Sequence, residues 1–248
     1  MNLKKSSLQS AGFVVLLLAL FCGPVRAGFW DQVGKILKES SPQKKEELSS
    51  VEMARGLKEA LWVGIERAVS YLSNVENLLK NPSLRIPPPP KVAKITGFLR
   101  KVGFKKQVED FERSLNAAAA KAIKEALPVF KEAISSLTIE DAKRLLRGGD
   151  TAITNYFREK TSRRLYERFR PIVKENLVRV GVTKKYQELI QNSYARNYLG
   201  GTDLDLEHYV TKAALDRLFK VLAQEEIKIR RNPAARTTEL LKKVFSSL

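Results

Sequence analysis

The chain is short of the side chains that most chemistry requires. Its 248 residues include one cysteine, Cys22, and one histidine, His208. Zinc sites built from Cys and His are therefore excluded, and so is a Cys–His dyad. No G-x-S-x-G turn is present, so a serine triad has no elbow to sit on. Gly148-Gly149 is not followed by Lys and Ser or Thr, which removes a phosphate loop. Asp203, Asp205 and Glu207 alternate as a calcium loop begins, but His208 stands where its glycine belongs and no glutamate closes it. Acids are in the minority, 27 against 45 Lys and Arg, for a net charge of +18. No spacing singles out a pair of carboxylates, and helix capping accounts for Asp141 and Asp150.

What is present begins with an export leader. Lys4 and Lys5 precede an apolar stretch from Phe13 to Phe21, and Val25-Arg26-Ala27 forms a small-residue cleavage site. That stretch is shorter than the about 20 residues a membrane-spanning helix needs. A lipoprotein leader would use Cys22, but bulky Phe21 precedes it. Residues 1–27 are thus expected to leave as a signal peptide, and the protein to be exported, to the periplasm. Cys22 leaves with them, as do Lys4, Lys5 and Arg26 with no acid, which takes the charge from +18 to +15. Such a charge favours anionic partners: lipid headgroups, an envelope polymer or nucleic acid. Export argues against nucleic acid as the native one, although nonspecific binding in vitro follows from the charge.

Residues 28–48 read as an amphipathic helix, 29–38, and a polar linker. The helix suits peripheral membrane contact or docking on the rest of the protein. From residue 49 to 248 one domain is expected, all-α, a multi-helix bundle crossed by a proline-rich extended strap. Ser49 and Glu52 make a capping box for a helix reaching about Leu72. Its core stripe is Leu57, Leu61, Ile65, Val69 and Leu72. Gly56, Ala60, Gly64 and Ala68 fall four apart beside that stripe, and each glycine costs a helix about 1 kcal/mol relative to alanine. Close approach of another backbone would offset this. The alanines from Ala117 to Ala126 on the helix beginning near Lys105 are the expected partner, with a cofactor groove as the alternative. Asn81-Pro82 through Pro90 cannot be helical; Leu84 and Ile86 in it want burial, which favours a strap across the body over a ligand for a partner's aromatic groove. Pro128 divides the helix after Lys105.

The most informative stretch is Leu137 to Val173. Thr138 with Asp141 caps one helix, Gly148 is expected to end it in the left-handed conformation, and Asp150 to cap the next. Ile153, Phe157, Leu165, Phe169, Ile172 and Leu177 form an apolar stripe, with a kink or fresh start expected at Pro171. Lys160, Arg164 and Arg168 lie four apart on another face, with Tyr156 near them. They are either a solvated ridge paired with carboxylates or an anion site. Arg85 and Arg236 are weaker candidates; an internal salt bridge from Arg236 to Glu225, Glu226 or Glu239 is preferred to a ligand contact. Gly181 and Thr183 mark a helix end and a new cap, Asp205 caps a long helix to about Arg231, and Asn232-Pro233 starts the last. His208, near capping acids, reads as incidental.

The motifs ARGLKEAL (54–61), NPSLRIPPP (81–89), TIEDAKRLLRGGDTAITNYFREKTSRRLYERFRPIV (138–173), VGVTKKY (180–186), HYVTKAALDRLF and EIKIRRNPAARTTELLKKVF (208–245) resemble an uncharacterised bacterial family of exported helical proteins with a single domain of unknown function. The resemblance implies fold and export, and no activity, cofactor or catalytic residue. The expectation is therefore a non-enzymatic protein that binds an anionic or amphiphilic ligand or an envelope partner. A carboxylate-dependent hydrolase and a protein–protein scaffold are the alternatives.

Overall fold

Ser49 begins the first helix as the sequence requires. Its hydroxyl accepts the Glu52 N–H at 3.2 Å while the Glu52 carboxylate accepts the Ser49 N–H at 2.9 Å, closing the capping box. A computed structural model describes residues 49–179, 205–236 and 238–246. The leader, the 29–38 segment and the elements expected around Thr183 lie outside the described residues. Leu48–Leu248 forms a compact unit of its own.

Nine α-helices are present among the described residues, with no strand. They are α1 (Ser50–Leu72), α2 (Val75–Lys80), α3 (Pro90–Lys101), α4 (Lys105–Ile123), α5 (Ala126–Ser135), α6 (Ile139–Leu146), α7 (Ala152–Arg179), α8 (Leu206–Arg231) and α9 (Glu239–Ser246). A 3₁₀ turn, Pro233–Ala235, joins the last two. The long helices α4, α7 and α8 pack on one another; α1 packs on α8 and is also met by α5, α6 and α9, while α2 and α3 lean on α4. Phe130 of α5 meets Phe157 of α7 and Phe219 of α8 edge-on, at 5.9 and 6.2 Å between ring centres. All three rings are buried, so one aromatic joint ties three helices.

Several expectations are corrected. The small-residue ladder of α1 faces α8: a Cβ on Gly64 would lie 3.9 Å from Ile229 Cδ1. The alanines from Ala118 to Ala122 on α4 are largely buried, and α4 packs mainly on α7 and α8, with little contact to α1. The helix after Lys105 does divide, as Pro128 leads one to expect: the break falls at Lys124-Glu125, placing Pro128 in the first turn of α5 where its missing N–H removes no helical bond. Gly148 is not left-handed; it is needed because a Cβ there would lie 2.4 Å from that of Ala152. The glycine with positive φ among the described residues is Gly103, at 100°. Helix α7 continues through Pro171, and its core stripe uses Thr161 and Val173, with Ile172 only half buried.

The extended strap crosses the body with Leu84 and Ile86 fully buried. Prolines leave it rich in carbonyls and poor in N–H groups, so its partners are donors. Tyr209 Oη donates to the Pro87 carbonyl at 2.9 Å, Arg217 to those of Leu84 and Arg85 at 3.3 and 3.2 Å, and Lys220 Nζ to that of Ser83 at 3.2 Å. The N–H of Ile86 donates to buried Asn116 Oδ1, and Asn116 Nδ2 donates back to the Ile86 carbonyl, both at 2.9 Å.

Candidate functional site

Helix α7 carries the ridge, and its N-terminus is fixed from afar. Asp150 does not cap it; that side chain pairs with Arg231. The cap is Glu226 of α8, a buried carboxylate that accepts the Ile153 N–H at 3.1 Å, the Thr154 N–H at 2.8 Å and the Thr154 hydroxyl at 2.7 Å. Arg230 donates to the same carboxylate at 3.0 Å, and to the carbonyls of Leu145 and Leu146 at the end of α6 at 2.8 and 3.0 Å. A negative charge on an N-terminus and a positive one on a C-terminus both suit the helix dipoles. One ion pair thus sets how α6, α7 and α8 meet.

The ridge is divided between structure and solvent. Arg164 pairs with Glu132 of α5, whose carboxyl is held below its ordinary value near 4.5 first by that hydrogen bond and then by the Arg164 charge. A depressed carboxylate pKa contributes stability above the unfolded value, lost as the pH falls through the folded one. Arg168 is exposed and its charge also bears on Glu132. Lys160 lies 3.8 Å from exposed Glu159 and 5.9 Å from the centre of the Tyr156 ring. Arg144 of α6 sits at the same 5.9 Å from that ring, and Asp141 at 2.6 Å from Arg144. The phenol of Tyr156 is pushed up by burial and next by the Asp141 charge, which keeps it a hydrogen-bond donor.

Along α7, Lys160 and Arg144 lie at the Tyr156 ring, while further on Arg164 and Arg168 bear on Glu132. Sequence reasoning missed Arg144 because it sits on a different helix, across the Gly148-Gly149 corner. Its signal was available: Arg144 follows Asp141 by one turn in a capping box already recognised.

The weaker candidates serve the fold. Arg85 and Arg100 both pair with buried Glu112, clamping the strap and α3 to α4. Arg236 follows the 3₁₀ turn, outside α9, and donates to the carbonyls of Ile229 and Arg230 at 3.1 and 2.9 Å, closing the end of α8. Of the carboxylates considered for it, Glu225 pairs with Lys228, Glu226 with Arg230 and Glu239 with Lys242. Asp205 caps α8 and pairs with Arg170, and Glu207 reaches Arg170 and Lys174. His208 Nδ1 lies 2.8 Å from Tyr166 Oη. Among the described residues no group of three His, Cys, Asp or Glu side chains lies close enough to hold a metal ion.

A narrow apolar cleft of about 40 Å³ runs between α1, α7 and α8, lined by Ala60, Gly64, Ile65, Phe157 and Ile229 beside Glu226. No helix among the described residues is long and apolar enough to cross a membrane.

The family model of a protein of unknown function, DUF4197, matches residues 47–246. No curated protein and no solved structure matches the chain.

Proposed function

Because the chain belongs to the DUF4197 family, whose description assigns no activity, we propose from the site itself that the exported domain is a non-enzymatic binder of anionic envelope components. The observation that carries this is the half-buried Tyr156, with Lys160 and Arg144 each 5.9 Å from its ring centre and exposed Arg168 further along α7. A neutral phenol donor on a ring that two cations approach suits a phosphate group. The net charge of +15 that the expected mature chain carries would draw such ligands in. Catalysis finds less support: the buried carboxylates Glu112 and Glu226 are each engaged by arginines.

The test is binding of residues 48–248 to soluble polyphosphate, and to vesicles with and without phosphatidylglycerol, at two salt concentrations. Lys160→Ala with Arg168→Ala removes two surface cations worth about 1 kcal/mol each toward an anionic surface, so affinity is expected to fall about 10- to 30-fold. Arg164 is left in place to keep its bond to Glu132. Equal, salt-insensitive binding to both vesicle types, or no effect of the double substitution on either probe, overturns the reading.

A further inference from the structure

The corner between α3 and α4 is the strongest feature that the site above leaves unused. Arg100 to Gln107 are all exposed, eight residues in a row. Phe98, Val102 and Phe104 are 63, 48 and 48% exposed, so half of the six large exposed hydrophobic side chains among the described residues fall within seven positions. Phe98 and Val102 are one helical turn apart. Gly103, at φ 100°, reverses the chain, and the Phe104 N–H returns to the Leu99 carbonyl at 2.9 Å. This is the bonding of a glycine-stopped helix end, and it sets Phe104 beside the exposed turn rather than leaving it on a loose loop.

The corner is also anchored at its base and carries an excess of cations, with Glu109 and Asp110 following it in α4. Glu112 holds Arg100, and Val92, Thr96, Val108 and Phe111 are buried behind it. From residue 77 to 108 the sequence has no Asp or Glu and eight Lys or Arg. Lys101, Lys105 and Lys106 immediately flank the apolar trio and are exposed; Lys105 lies 3.8 Å from Glu109. Apolar side chains at a tip, ringed by lysines whose stems can bend back toward water, match the headgroup boundary of an anionic bilayer. A second copy would bring the lysines of both tips together, where cations outnumber Glu109 and Asp110.

We propose that the α3–α4 tip enters the interface of an anionic membrane, with Phe98, Val102 and Phe104 passing the headgroups and Lys101, Lys105 and Lys106 meeting them. This rests on the anionic partner proposed above and places it at a different surface. Three side chains give reversible attachment, in contrast to a spanning helix.

Residues 48–248 contain no cysteine, so a single environment-sensitive nitrobenzoxadiazole label at Phe104→Cys reports on the tip, with Lys121→Cys as the control. With vesicles containing phosphatidylglycerol the label at 104 brightens and shifts to the blue while that at 121 does not. Phe98→Ser, Val102→Ser and Phe104→Ser together weaken vesicle binding about tenfold or more and leave the melting temperature and polyphosphate binding unchanged. A label at 104 that stays dim on vesicle-bound protein overturns insertion. So does full vesicle affinity in the triple variant with loss in the Lys160/Arg168 variant, which would leave the edge of α7 standing. Loss in the triple variant alone sustains insertion and removes the edge. Self-association abolished by the serines, without brightening, overturns insertion in favour of a second copy.

Discussion

Replacing Glu226 by alanine perturbs a buried carboxylate at which α6, α7 and α8 converge. The substitution strands the N–H groups of Ile153 and Thr154, and leaves Arg230 charged, buried and bonded only to carbonyls. A buried donor left without a partner costs about 1–3 kcal/mol, and breaking a buried ion pair from one side costs about 3–5 kcal/mol. These overlap because the groups share one site, so the expected loss is about 3–5 kcal/mol in all. For a domain of this size each kcal/mol moves the midpoint by about 2–4 °C, which places the melting temperature roughly 6–20 °C lower. The assay is thermal and urea unfolding followed by circular dichroism. Glu226→Gln, which keeps one acceptor, should fall between alanine and the parent, and Thr154→Ala should cost about 1 kcal/mol for its single hydroxyl. Exposed Glu159→Ala should stay within about 0.5 kcal/mol. A Glu226→Ala protein as stable as the Glu159→Ala protein would refute the argument.

Two further outcomes follow from the packing. Asn116→Leu removes both bonds to Ile86 and should destabilise by about 2–4 kcal/mol, raising proteolytic cleavage within residues 81–90 before the bundle itself unfolds. Gly97, whose Cβ would meet nothing, should gain about 0.5–1 kcal/mol as alanine; Gly148→Ala, driven into Ala152, should lose about 1–3 kcal/mol. Urea midpoints of the two variants measured side by side decide this.

The helices were legible where their cause is local. Ser49, Thr138 and Asp205 each cap within three residues, and the turn between α4 and α5 sits where Pro128 forces it. What failed was long-range. Asp150 looks like a cap, yet Glu226 performs that role from 73 residues away, and no spacing in the chain encodes that distance. The ladder of Gly56, Ala60, Gly64 and Ala68 announced a close neighbour without naming it, since smallness specifies a gap and not its occupant. In the site, Lys160 meets Tyr156 one turn away, as a four-residue step allows, while Arg164 and Arg168 turn toward Glu132. Arg144 joined Tyr156 only through the α6–α7 corner, and Arg164 was committed to Glu132 by tertiary packing that periodicity cannot express.

The donors that hold the proline strap all lie later in the chain. Asn116 follows Ile86 by 30 residues, Arg217 follows Leu84 by 133 and Lys220 follows Ser83 by 137. A polypeptide made amino end first therefore presents Leu84 and Ile86 long before anything can cover them. Prolines on both sides suit that wait, because a segment with so few amide protons cannot be recruited into a growing sheet. Its composition protects the nascent protein first and braces the finished one afterwards.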